Sequence, residues 1–140
     1  TYMENLRMTK QEIKEERKET DGNPQIKQRI RTVQMEMARK RMMSAVPEAD
    51  VIVTNPTHIS IAIKYDTLNY AAPVVVAKGV GPIAMRIREI AKENNIPLVE
   101  DKPLARTLNK TVQVGQVIPA SLYKAVAEIL AYVYKLKHSF

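Results

Sequence analysis

Hydrophobic and polar positions change rhythm once along this chain. Residues 1–45 are charged, with apolar positions at three-to-four spacing, whereas from Val46 onward short β-branched runs alternate with helical stripes. In the first part, Thr9 and Glu12 have capping-box spacing, and Lys10 to Glu19 are strong helix formers. Thr20-Asp21-Gly22-Asn23-Pro24 interrupts that helix, and Asn23 with Pro24 suits the cap and first position of the next. The pattern predicts a helix from about Pro24 to Ser44 with Ile26, Ile30, Val33 and Met37 on one stripe. Arg29, Arg31, Arg39, Lys40 and Arg41 surround that stripe, as a solvated face or as a stalk that meets membrane phosphates or an acidic partner.

The second part predicts a compact α/β domain. Val51 to Thr54 and Ile59 to Tyr65 read as two strands, and Val74 to Lys78 as a third. Gly79-Val80-Gly81-Pro82 opens a helix whose stripe is Ile83, Ile87 and Ile90, and Asn94-Asn95 ends it. Pro97 to Glu100 is a short fourth strand, so that strand three, helix and strand four form a β-α-β unit with parallel pairing. Asp101 is placed to cap a helix from Lys102 to about Asn109, a turn-rich link covers Thr111 to Pro119, and the last helix runs from Ala120 to Leu136. The expected fold is α/β: a small four-stranded mixed sheet flanked by about four helices, with a long N-terminal linker helix. The expected division is residues 1–45 as charged linker helices and 46–140 as the compact domain.

The last helix carries more apolar surface than one core can absorb. Leu122, Ala125, Val126, Ile129 and Val133 form one stripe, and Tyr123, Ala127, Leu130 and Tyr134 form a second. The second stripe, together with Tyr70-Ala71-Ala72-Pro73, is a candidate docking surface, with Ala72, Pro73, Ala127 and Leu130 at its centre.

Composition narrows the chemistry. The chain has 140 residues, a formal net charge of +7 and no cysteine, which excludes disulfides, cysteine zinc sites and thiol nucleophiles. The charge favours acidic partners: nucleic acid, an anionic membrane or acidic proteins. With two histidines, His58 and His138, no metal site is expected, and no cofactor either. No apolar run approaches a bilayer span, and no signal peptide opens the chain. The chain begins Thr-Tyr-Met rather than at a start methionine, and is read as a fragment of a longer protein. Gly79-x-Gly81 precedes a helix as phosphate loops do, but lacks their third glycine and lysine, so a tight turn is its expected role.

Asn55-Pro56-Thr57-His58, between the first two strands, is the remaining chemistry. An asparagine degrades by attack of the next backbone nitrogen on its side chain, but proline has no N–H, which closes that route. The open direction is attack by the Asn55 side-chain nitrogen on its own main-chain carbonyl, which forms a succinimide and cuts the chain before Pro56. Nucleophile and carbonyl share one residue, which supplies much of the acceleration. An amide nitrogen is still a poor nucleophile and needs a base and oxyanion donors, and His58 and Thr57 are the nearby candidates. The bland alternative is that Asn-Pro is a common turn dipeptide and His58 a polar loop residue.

These residues resemble a known family. Asn55-Pro56-Thr57-His58 is similar to the NPTH motif of the export-apparatus switch proteins of type III secretion, the FlhB/YscU family. Further similar stretches are Arg39-Lys40-Arg41-Met42-Met43, Ala49 to Thr54, Val75 to Gly79, Arg86 to Ile90, Pro103 to Arg106 and Ile118 to Tyr123, so the resemblance covers roughly residues 24–140. It lies on the flagellar rather than the virulence side, and with the family's cytoplasmic domain. The resemblance implies a membrane-anchored full-length protein with this part at the cytoplasmic face of the inner membrane. It implies single-turnover self-cleavage between Asn55 and Pro56, assisted by Thr57 and His58, and a switch from rod/hook-type to filament-type export substrates. The implied partners are other flagellar export-apparatus proteins, export substrates and a hook-length control protein. The competing reading is a basic nucleic-acid-binding α/β module, which lacks any recognisable RNA-binding motif and is not expected.

Overall fold

The computed structural model describes residues 22–56, 58–65 and 72–138. The expected capping box at Thr9 and Glu12, the helix Lys10 to Glu19, the loop 66–69, and the side chain of His138 lie outside the described residues. The chain divides into two compact units between Arg39 and Lys40. Helix α1 (Pro24–Ala45) begins in the first, where Asn23 caps it by accepting from the N–H groups of Gln25 at 2.9 Å and Ile26 at 3.4 Å. The stripe along α1 is exposed: Ile26, Ile30, Val33 and Met37 keep 39–56% of their surface in water.

The second unit is built on four strands. β1 (Val51–Asn55), β2 (Ile59–Lys64), β3 (Val74–Val80) and β4 (Leu98–Glu100) form one mixed sheet in the order β3-β2-β1-β4. β1 and β2 are the inner strands, and nearly all their residues are buried, because both faces of the sheet are covered. On one face, Val51, Val53, Ile61 and Ile63 meet Leu104 and Leu108 of α3 (Lys102–Thr111) and Val126, Ile129 and Val133 of α4 (Tyr123–His138). On the other, Ile52, Ala62 and Ala77 meet Ile87 and Ile90 of α2 (Gly81–Glu93), with Val46, Met42 and Met43 beside them. A bulge in β3 shifts the alternation of its side chains by one residue. Ala62 pairs with Ala77 while Ile63 pairs with Val75, so Val75 and Ala77, two residues apart, point to opposite cores.

One topological expectation is corrected. β3 and β4 do not pair: they stand at opposite edges, and β4 runs parallel to β1. β1, β2 and β3 form an antiparallel meander, so β2 takes the inner edge of β3. The outer edge is taken by the link after α3: the Val75 N–H donates to Gln116 O, the Gly115 N–H to Val75 O, and the Ile118 N–H to Pro73 O. The remaining place for β4 was beside β1, and α2 carries the chain across the sheet to reach it. The last helix also starts later than its apolar run. A single 3₁₀ turn at Ala120–Leu122, with Leu122 N–H on Pro119 O, precedes α4.

The close approach of α2 to β3 depends on Gly79. A Cβ built there would stand 2.3 Å from Ile83 Cγ2 and 2.8 Å from Ile83 Cβ. Gly79→Ala is therefore expected to lower unfolding free energy by about 1–3 kcal/mol, read from a urea titration. An unchanged midpoint would show that α2 can lift from the strand without loss.

Candidate functional site

The turn that joins the two inner strands is held by backbone groups. Asn55 closes β1 and pairs with Ile59 at the start of β2. Asn55 is 6% exposed, Pro56 half-buried and His58 exposed, and Thr57 lies outside the described residues. The His58 N–H donates to the Asn55 carbonyl oxygen at 3.0 Å, which closes the turn. That carbonyl belongs to the Asn55–Pro56 bond. The arrangement thus places a hydrogen-bond donor on the oxygen that would gain charge if the Asn55 carbonyl carbon were attacked.

Each arm of the turn is also tied to the start of a helix. On the β2 side, the Gly81 N–H donates to His58 O at 3.0 Å, one rung beyond the Ile59–Val80 pair. On the β1 side, the Asp101 N–H donates to Thr54 O at 3.0 Å, one rung beyond the paired Thr54 and Glu100. Gly81 opens α2, and Asp101 caps α3 by accepting from the Leu104 N–H at 3.2 Å. Beneath the turn, the buried Ser60 hydroxyl donates to Ala84 O at 2.9 Å and fixes β2 to α2. Sequence reasoning named the side chains of Asn55, Thr57 and His58 but missed the backbone roles of Gly81 and Asp101. The available signals were Gly81-Pro82 at the end of a strand and Asp101-Lys102-Pro103 at the end of another.

The candidate docking residues are brought together. Ala72, Pro73, Ala127 and Leu130 line one groove of about 420 Å³, with Tyr65, Tyr123, Ala131 and Tyr134 completing it. Ala72 is buried, Pro73 and Leu130 half-buried, and Ala127 exposed. Tyr70 and Ala71 lie outside the described residues. Among the described residues no three His, Asp or Glu side chains gather where a cation could sit, and no helix is long and apolar enough to cross a membrane.

This architecture recurs in known proteins. A sequence profile of the FlhB HrpN YscU SpaS family matches residues 1–133, further toward the N-terminus than the motifs above reach. Flagellar biosynthetic protein FlhB of Escherichia coli (strain K12) is 53% identical over 137 residues, 98% of this chain and 36% of its own length. FlhB of Bacillus subtilis (strain 168) is 53% identical over 136 residues, 97% of this chain and 38% of its own length. The chain thus spans little more than a third of these curated relatives. Among solved structures, the cytoplasmic domain of FlhB from Shewanella putrefaciens matches with a TM-score of 0.70 at 50% identity, covering 72% of this chain and 78% of that one. An EscU C-terminal domain with an asparagine-to-alanine substitution matches with a TM-score of 0.64 at 33% identity, covering 66% of this chain and 92% of that one. The chain belongs to the FlhB HrpN YscU SpaS family. Its fold is that of the cytoplasmic domain of its Shewanella relative.

The double duty of Asp101 can be separated. Asp101→Ala removes the side-chain cap but keeps the N–H on Thr54 O, and is expected to cost about 1 kcal/mol of stability. A chemical-denaturation midpoint reads this, and no shift would mean that the Leu104 N–H finds an equal partner in water.

Proposed function

We propose that the chain is the cytoplasmic part of a flagellar type III export component that cuts itself once between Asn55 and Pro56 and thereby changes which substrates are exported. The observation that carries the reading is the 3.0 Å hydrogen bond from the His58 N–H to the oxygen of the carbonyl to be attacked. The Asn55 Nδ2 attacks the Asn55 carbonyl carbon, and the carbonyl oxygen becomes an oxyanion under the His58 N–H. One proton leaves Nδ2, one reaches the Pro56 nitrogen, and the C–N bond to Pro56 breaks. The products are a C-terminal succinimide at Asn55 and a free secondary amine at Pro56. Water then opens the succinimide. His58 is exposed at the turn, and Thr57 belongs to the same motif. Solved EscU C-terminal domains carry alanine at a consecutive asparagine and proline, the residue pair found in this turn.

A cut here leaves the domain whole. Val51, Ile52 and Val53 are 0% exposed, and each contributes about 1.5–3 kcal/mol by burial. The fragments cannot separate without returning these side chains to water, so 1–55 and 56–140 remain one folded unit. Residues 1–45 serve as a linker toward a membrane domain, and residues 46–140 as the cutting domain. The linker's basic helix meets the membrane surface, at the cytoplasmic face. The groove at Ala72, Pro73, Ala127 and Leu130 receives export substrates, and the other partners are export-apparatus proteins and a hook-length control protein.

Purified protein is expected to give two bands on a denaturing gel, with a new N-terminus at Pro56. Asn55→Ala is expected to abolish the cut. His58→Ala keeps the backbone N–H but removes the imidazole, and is expected to slow cutting by about 100-fold without unfolding the domain. A wild-type rate would remove the imidazole from the mechanism. Ala127→Glu or Leu130→Glu is expected to weaken substrate binding at least tenfold, with fold and cutting intact. Unchanged binding in a pull-down titration would free the groove of that role.

A further inference from the structure

We infer that Gly81 is a positioning residue for the scission, acting through the backbone of His58. The inference rests on the self-cleavage reading. His58 holds the oxyanion donor, yet its side chain is exposed. Its position is set by two backbone hydrogen bonds: its N–H to Asn55 O and its O from the Gly81 N–H, both 3.0 Å. The Gly81 bond is the last rung of the β2–β3 ladder before the turn. Ile59 on one side of His58 is locked in the sheet, so this rung decides where the His58 peptide sits as the chain leaves it.

Glycine meets the demand at position 81 at the least cost. Val80 is extended, with φ −122° and ψ 159°, and Pro82 stands at the first turn of α2. Proline drives the residue before it out of the right-handed helical region. Gly81 joins the two with φ +55°, a conformation that L side chains rarely adopt. A Cβ at Gly81 would meet nothing within 4 Å. A side chain there would thus bring no clash, and its effect is on the backbone alone. Relief of that strain rotates φ, and rotation swings the N–H away from His58 O.

Gly115 provides a matched control. Its φ is +89°, a Cβ there would also meet nothing within 4 Å, and its N–H donates to Val75 O at 2.7 Å, away from the turn. Gly81→Ala and Gly115→Ala therefore impose the same kind of strain, and only the first touches the cutting turn.

The test follows the cut fraction with time for wild type, Gly81→Ala and Gly115→Ala. The expected result is cutting slowed about tenfold by Gly81→Ala and left at the wild-type rate by Gly115→Ala. Gly81→Asn, whose side chain tolerates positive φ better than others, is expected to cut faster than Gly81→Ala, and it carries the comparison if Gly81→Ala does not fold. In an uncut Asn55→Ala background, hydrogen exchange of the position-81 amide reads the bond itself: protected in the parent and with Gly115→Ala, fast with Gly81→Ala. A wild-type cutting rate in Gly81→Ala, or equal slowing by Gly115→Ala, overturns the inference. A wild-type chain that stays whole overturns the self-cleavage reading instead.

Discussion

Everything the turn can do depends on one backbone hydrogen bond, from the His58 N–H to the Asn55 carbonyl oxygen. It closes the connection between the two inner strands and sits on the carbonyl of the Asn55–Pro56 bond, the bond cut in the proposed reaction. A donor placed there before reaction needs no rearrangement as charge develops, which is how fixed dipoles lower a barrier. The rest of the domain serves to keep that donor still. β1 and β2 are buried on both faces, the arms of the turn are tied to Gly81 and Asp101, and those residues begin helices that are themselves packed on the sheet.

Sheet order makes scission compatible with folding. A cut between neighbouring strands frees a turn, whereas the β1 segment stays paired on both sides, antiparallel to β2 and parallel to β4. The N-terminal fragment contributes an inner strand and the C-terminal fragment its two neighbours. Neither can leave without opening the sheet. In the proposed reaction Asn55 is consumed, so the chemistry would be a switch with one throw rather than a turnover.

Much of the fold was legible in the sequence. β-branched runs marked the strands, Asn23-Pro24 marked the cap of α1, and Asp101 the cap of α3, because each residue type suits its place for a local reason. The groove residues were legible as excess apolar surface on α4. What could not be read was pairing across distance. Val74–Lys78, the helix after Gly81-Pro82 and Pro97–Glu100 do form a crossover between strands that run the same way in one sheet, but the strands do not pair, because β2 and the 115–118 segment occupy both edges of β3. The tethers from Gly81 and Asp101 were hidden for the same reason. They are backbone bonds set by register, and register follows from the whole sheet and the bulge in β3 rather than from the residues that make them.

The mass of the 1–55 fragment, taken as soon as it appears, tests the chemistry most directly. Cyclisation conserves atoms, so the fresh fragments should sum to the intact chain, with fragment 1–55 one water lighter than its hydrolysed form and converting to it with time. A fragment that carries the added water from the first moment would mean direct hydrolysis. A chain that stays whole on long incubation would contradict self-cleavage altogether.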